Sequence, residues 1–116
     1  MQYESAIHEL LIEFPQLRGV EQFAEEEGLA HVVFGSALCP WLETLLNADA
    51  RTQADDADIA RAFAFIERML ESPDERLENV VLVTILNYLV DYCGLDRVTP
   101  WCGPLSASWL DKLPPP

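Results

Sequence analysis

The sequence predicts an all-α protein, a compact bundle of four to five helices around one central apolar helix. Three observations predict this fold class. Apolar residues recur at helical spacing in several segments, helix-capping residues and prolines stand where those segments begin and end, and half of the 116 residues are apolar. A chain of this length forms one domain, here residues 1–116 with a proline-rich tail at 114–116.

The first 47 residues predict two helices. The first runs from Tyr3 to Phe14, where apolar residues share one stripe and Pro15 follows. Residues 16–28 have room for one short helical turn, and residues 31–35 fit either a short extended piece or a helix start. The second helix is predicted from Pro40 to Asn47, because proline suits the first turn of a helix.

The middle of the chain predicts two long helices joined by a tight turn. The pattern Thr52-x-x-Asp55 resembles a capping box and opens a helix that ends at Glu71. In Ser72-Pro73-Asp74-Glu75, serine can cap, proline can take the first helical position and Glu75 can complete a second capping box. The helix that follows is predicted to be central, since 11 of the 16 residues at 77–92 are apolar.

The C-terminal part predicts a stop and one more helix. Cys93-Gly94-Leu95 is typical of a Schellman motif, in which the residue after the glycine packs back on the helix. The last helix is predicted from Pro104 to Leu113, with Leu105 and Trp109 packed inward together and Lys112 in the final turn.

The charge balance narrows the classes of partner. Twenty Asp and Glu residues stand against seven Lys and Arg, for a net charge of −13. Phosphate backbones and anionic lipids require clustered basic residues, so nucleic acid and membranes are not expected partners. A basic protein is the partner that this charge favours.

The cysteines and the N-terminus predict a soluble, cytosolic protein. The chain has three cysteines, Cys39, Cys93 and Cys102. An odd number without a CxxC pair is typical of a protein from a reducing compartment. The first residues lack the basic and apolar regions of a secretion signal, and no apolar stretch reaches the roughly 20 residues that span a bilayer.

Reactive centres are predicted to be absent. His8-Glu9 begins like the zinc motif HExxH, but position 12 is isoleucine, and the spacing of Cys93 and Cys102 is unusual for zinc ligands. Nothing in the spacing brings a cysteine to His8 or His31. We therefore expect no catalytic residue, no metal and no cofactor.

Two acidic clusters and two tryptophans are the candidate contact residues. A run of glutamates is usually a solvated surface, and acids at a helix start are stabilised by the helix dipole. The alternative is that they meet a basic partner, with half-exposed aromatics as anchors. The predicted partner-binding residues are Glu25, Glu26, Glu27, Asp55, Asp56, Asp58, Trp41 and Trp101.

Residues 63–70 and 79–89 and the pair Gly103-Pro104, with Val33-Phe34-Gly35 and Trp41-Leu42 upstream, resemble the small all-helical immunity proteins of bacterial polymorphic toxin and contact-dependent growth inhibition systems. The resemblance implies a non-enzymatic, cytoplasmic protein that binds one cognate toxin domain and neutralises it by stoichiometric occlusion. One alternative is an acidic secretion chaperone or adaptor for an effector protein. Another is a small enzyme with a cysteine or carboxylate site.

Overall fold

The fold is a bundle of helices, as the computed structural model of residues 1–17 and 30–113 shows. These two ranges contain no strand, so the predicted fold class is confirmed. Six helices occur in them, one more than the upper predicted number, because a short helix that was not predicted follows the central one. The helices are α1 (Ala6–Glu13), α2 (30–47), α3 (Gln53–Glu71), α4 (75–93), α5 (Leu95–Val98) and α6 (Pro104–Leu110).

Helix α1 follows its predicted pattern. A 3₁₀ turn, Tyr3–Ser5, leads into it, and the N–H of Phe14 donates to the carbonyl of Leu10 at 2.8 Å before Pro15 ends the helix. Leu10, Leu11 and Phe14 are buried. His8 is exposed, as the incomplete zinc motif predicts.

Helix α2 is longer than predicted. It already includes Ala30, and Pro40 lies in its interior rather than in its first turn. A π-helical turn, Phe34–Leu38, precedes the proline, and the N–H of Cys39 donates to Phe34 five residues back. A π turn relaxes the ordinary ladder of bonds at the place where proline lacks an N–H. The prediction was wrong because it assigned Pro40 only the role of a helix start.

Helix α3 begins where the capping pattern predicts. The N–H of Asp55 donates to the Thr52 hydroxyl at 3.1 Å, and the N–H of Thr52 donates to the Asp55 carboxylate at 3.0 Å. Two N–H groups that the helix cannot satisfy are thereby paired. The predicted end at Glu71 is also confirmed.

The turn between α3 and α4 differs from its prediction by two residues. Asp74, not Ser72, is the N-cap of α4, and its carboxylate accepts the N–H of Arg76 at 3.0 Å. Ser72 instead accepts the N–H of Asp74 at 3.2 Å and donates to the carbonyl of Met1 at 2.7 Å. With Asp74 as the N-cap, Pro73 lies outside the helix and Glu75 is its first residue, so the predicted capping box of Ser72 and Glu75 is wrong.

Helix α4 is the central helix and packs against α2 and α3. Six of its apolar side chains are buried, but Val83 is 58% exposed and Tyr92 61% exposed. Apolar residues therefore occur on nearly all sides of the helix, on its uncovered face as well as on its buried faces. A π-helical segment, Val80–Leu86, lies in its middle, and the N–H of Asn87 donates to Leu82.

The end of α4 requires a glycine. Gly94 has φ +90° and ψ 147°, and its N–H donates to Val90 at 3.0 Å. A positive φ favours glycine, but a Schellman motif needs the left-handed helical ψ, which Gly94 does not have. That detail of the prediction was wrong: Leu95 does not pack back, is 50% exposed and begins α5.

Helix α6 ends at Leu110, three residues earlier than predicted, and presents a different face to the core. Ser106 and Leu110 are buried, whereas Leu105 is exposed and Trp109 half-buried. The cause is the carboxylate of Glu67 on α3, which accepts the N–H groups of Leu105 and Ser106 at 2.9 and 2.7 Å. These bonds fix the orientation of the first turn.

Candidate partner-binding surface

The predicted acidic contact residues that the structure describes all have partners within the chain. Asp55 belongs to the capping box of α3. Asp56 lies 2.8 Å from the Arg51 guanidinium, and Asp58 lies 3.5 Å from that of Arg61. Their positions agree with a role in stabilising the start of α3. Glu25, Glu26 and Glu27 lie outside the described residues, and a partner-binding role for either cluster stays a prediction.

The two predicted anchor tryptophans are half-buried and pack within the bundle. The Trp41 ring centroid lies 5.3 Å from that of Phe14. The Arg51 guanidinium lies over the Trp101 ring, 5.8 Å from the ring centroid. Each ring has an aromatic or cationic neighbour in the chain, and its use as an anchor for another protein stays a prediction.

A row of arginines neutralises the acids of the N-terminal segment. Two acids of α1 face arginines of α3 in the opposite order, so α1 runs antiparallel to α3, and a third acid just before α1 faces an arginine at the start of α4. Sequence reasoning missed these pairs because 48 to 72 residues separate the partners. The pairs are Glu13 with Arg61 at 3.3 Å, Glu9 with Arg68 at 3.0 Å, and Glu4 with Arg76 at 2.7 Å.

Helix α4 carries acids that no described cation neutralises. Glu75, Glu78 and Asp91 lie on this helix, and no described basic residue is within ion-pair distance of them. Arg76 stands between the first two but binds Asp74 and Glu4 instead. Among the described residues, negative charge is therefore balanced along α1 and unbalanced along α4.

An apolar surface cavity of about 290 Å³ lies between the uncovered face of α4 and residues 109–113. Trp109 forms part of its wall, and the Lys112 ammonium lies 4.4 Å from the centroid of that ring. A partly desolvated aromatic wall is what an inserted apolar side chain requires. The cavity is lined by Leu82, Val83, Asn87, Trp109, Lys112 and Leu113.

A polar hollow of about 390 Å³ adjoins this cavity. Glu75, Arg76, Glu78 and Asn79 line the hollow, and Leu82 lines both. We call the two together the α4–α6 groove. Val83 and Asn87 recur at helical spacing, but the sequence does not reveal that residues 109–113 lie beside them and form the other wall of a cavity.

Polar groups connect α2 and α4 along one seam. His31 hydrogen-bonds to the Thr84 hydroxyl, and the Tyr88 hydroxyl donates to Glu43. Further along, the Asn47 side-chain amide donates to the carbonyl of Tyr92 at 3.2 Å. The partners advance together along the two helices, so the seam fixes α2 beside α4.

The seam also contains the residues that a cysteine-based enzyme would use. Cys39 is fully buried, its thiol lies 3.9 Å from the carbonyl of Thr84, and burial raises its pKa to about 12. A nucleophilic cysteine requires a lowered pKa and access to solvent. Neither Cys39 nor His31 lines the α4–α6 groove. All three cysteines are free thiols.

Membrane-spanning helices and metal-binding clusters are both absent from residues 1–17 and 30–113. No helix in these ranges is long and apolar enough to cross a bilayer. No three His, Cys, Asp or Glu side chains in the same ranges are grouped so as to hold a metal ion.

Comparison with known proteins identifies one family. The profile of a domain of unknown function, DUF7674, matches residues 7–113, which is nearly the whole chain. No curated protein and no solved structure gives a significant match.

Proposed function

The chain belongs to the DUF7674 family, and we propose that it is an immunity protein that binds a cognate bacterial toxin domain and neutralises it by stoichiometric occlusion. The observation that carries the proposal is the unbalanced negative charge. The net charge is −13, and four of the six described basic residues already pair with acids of the chain itself.

Such a charge distribution favours one kind of partner. Long-range attraction speeds the encounter with a basic protein and disfavours acidic ones. Toxin domains that act on nucleic acid need a basic groove for phosphates. An acidic protein that covers such a groove competes with the substrate without doing any chemistry. The proposal places the protein in the cytoplasm of the bacterium that makes the toxin.

The test is co-expression with the C-terminal domain encoded by the reading frame directly upstream. We expect that domain alone to stop growth, co-expression to restore growth, and the two purified chains to form a one-to-one complex. Continued growth arrest, or the absence of a complex, would reject the proposal.

The same experiment separates the secretion chaperone from the immunity protein. A chaperone would bind an unstructured segment of the effector and leave the isolated toxic domain active. Loss of toxic activity in a purified mixture of the two folded domains is therefore the result that distinguishes inhibition from escort.

A further inference from the structure

We propose that the apolar cavity of the α4–α6 groove binds a small amphiphilic carboxylate, a free molecule whose aromatic ring or short aliphatic chain enters the cavity while its carboxylate faces the Lys112 ammonium. The proposal concerns the cavity beside Val83 alone and not the adjoining polar hollow. It is independent of the proposed function, because occlusion of a toxin domain requires no small molecule.

The walls of the cavity suit an apolar group. Leu82, Val83, Trp109 and Leu113 line it. Val83 is 58% exposed and Trp109 is half-buried, so apolar surface beside α4 stays open to solvent. Covering such surface with an apolar ligand is favourable. The volume of about 290 Å³ is at the lower limit of ligand pockets, which span roughly 300–1,000 Å³, so one ring or one short chain fills it.

The charge of the lining determines the head group of the ligand. Among the described residues that line the cavity, Lys112 carries the one charge, and its ammonium lies 4.4 Å from the centroid of the Trp109 ring. Cation–π attraction holds the ammonium at this apolar wall. The exposed side-chain amide of Asn87 adds a neutral hydrogen-bond donor. A carboxylate can accept hydrogen bonds from both groups, whereas Lys112 repels a cationic head group.

The net charge of the chain does not prevent this contact. A charge of −13 repels anions at long range. At physiological ionic strength, however, exposed charges more than about 8 Å apart are largely screened from each other. A carboxylate at hydrogen-bond distance from Lys112 is well inside that range, so the local attraction acts once the apolar part has entered the cavity.

The other two cavities lack this combination of an apolar wall and a cation. In the polar hollow, Glu75 and Glu78 outnumber Arg76, which disfavours a carboxylate. The third cavity, of about 360 Å³, has guanidinium groups but no aromatic wall. Four of its seven lining residues are charged, namely Asp49, Arg51, Asp96 and Arg97.

The first test titrates the full chain with octanoate and with octylammonium, which share an eight-carbon chain, below the concentrations at which they form micelles. The chain has three tryptophans, and of these only Trp109 lines the cavity. We expect its indole N–H signal in the NMR spectrum to shift while those of Trp41 and Trp101 stay, with octanoate bound about two- to fivefold more tightly than octylammonium. Equal shifts of all three signals, or octylammonium bound as tightly as octanoate, would overturn the proposal.

The second test removes the cation. Lys112→Gln and Arg97→Gln change the net charge equally, but Arg97 lines the third cavity. We expect Lys112→Gln to weaken octanoate binding about two- to fivefold and to leave the binding of neutral octanol unchanged. Arg97→Gln should change neither. Equal loss of octanoate binding in the two variants, both folded by circular dichroism, would show that the net charge and not Lys112 attracts the carboxylate.

The third test removes apolar surface with a matched pair of variants, Val83→Ser and Val32→Ser. Both positions are exposed valines on helices, 58% and 45% exposed, and only Val83 lines the cavity. We expect Val83→Ser to weaken the binding of octanoate and octanol alike, about three- to fivefold, and Val32→Ser to weaken neither. Equal effects of the two variants would place the ligand elsewhere and reject the cavity.

A peptide with a free C-terminal carboxylate, Ser-Gly-Ser-Leu-Phe, offers the same chemistry from the end of a protein chain. Octanoate that binds at least as tightly as this peptide supports the assignment to a free small molecule. A peptide that binds more tightly than octanoate at the Trp109 signal would overturn that assignment. None of these results depends on the toxin domain, so failure of the immunity function and failure of this proposal are distinguishable.

Discussion

At the scale of single residues, the C-terminal helix depends on the carboxylate of Glu67. This side chain caps α6 from α3, accepting two N–H groups 38 and 39 residues away in sequence. Gly103 makes room for it, since a Cβ at that position would lie 2.4 Å from the carboxylate oxygen. The glycine is required for space and not for its φ, which is −80°.

Replacing Glu67 by Ala should therefore destabilise the fold. Hydrogen bonds to a charged group contribute about 1.5–3 kcal/mol, so we expect the free energy of unfolding to fall by roughly that amount in denaturant titration. Glu71→Ala is the matched control, because this exposed glutamate lies one turn further along α3. Gly103→Ala should displace Glu67, and adding it to Glu67→Ala should cost less than the sum of the two single changes. Strict additivity would contradict the capping role.

The phenol of Tyr88 gives a prediction about pH. The hydrogen bond to Glu43, with smaller effects of burial and charge, raises the pKa of Tyr88 to about 12. The ordinary value is about 10, so the folded chain keeps a proton that the unfolded chain releases. This contribution to stability is complete below about pH 10 and is lost as the pH rises through the folded value.

An NMR titration of ¹³C-labelled tyrosine should show this raised pKa. We expect Glu43→Gln to lower the pKa of Tyr88, because the acceptor loses its charge. Glu71→Gln should leave the pKa of Tyr88 unchanged. A titration of Tyr88 that does not respond to Glu43→Gln would show that the seam does not control this group.

At the scale of elements, the sequence predicted helices whose signals are local. The stripe of α1 and the capping box of α3 involve residues at most eleven positions apart, and both were confirmed. The predicted start of α2 at Pro40 was wrong, because a proline at this position is equally compatible with a first turn and with a π turn stabilised by packing. The orientation of α6 depends on Glu67, which no local pattern connects with residues 105 and 106.

The two π-helical segments meet in the bundle, since Phe34–Leu38 of α2 packs against Val80–Leu86 of α4. Gly35 allows this approach: a Cβ there would lie 3.2 Å from the Cγ2 methyl of Thr84. Alanine is better than glycine in a helix by about 1 kcal/mol. In the natural chain, the close contact between the added Cβ and the Thr84 methyl opposes this gain in stability.

A double-mutant cycle separates the two effects. We expect Gly35→Ala to leave the free energy of unfolding unchanged or lower in the natural chain. In a Thr84→Ser background, which keeps the hydroxyl bonded to His31 and removes the methyl, Gly35→Ala should stabilise by about 1 kcal/mol. The same effect in both backgrounds would show that the helices can separate at no cost.

At the scale of the whole molecule, the charges of residues 1–17 and 30–113 are balanced along α1 and unbalanced along α4. The sequence predicts the excess of acids, but their pairing depends on contacts between distant segments. Asp56 and Asp58 were therefore predicted as contact residues, although each has an arginine partner. Glu75 and Glu78 were not predicted, although the described ranges contain no arginine paired with either. The cavity beside Val83 was likewise beyond prediction, because its walls come from α4 and from residues 109–113, which are distant in sequence.

Two double variants with the same change in net charge test this distribution. We expect Glu75→Gln with Glu78→Gln to slow association with the toxic domain about three- to tenfold at low salt. Asp56→Asn with Asp58→Asn should slow it less, because those carboxylates are already paired. The opposite ranking in stopped-flow measurements would move the contact surface to the start of α3.

The most direct measurement of the proposed function is an inhibition titration of the purified toxic domain with this chain. Occlusion requires activity to fall linearly and reach zero at one chain per toxic domain, with association slowing as salt is added. Activity that persists beyond equivalence, or that disappears at a small fraction of it, would contradict stoichiometric occlusion. The second outcome would instead indicate an enzyme that acts on the toxin.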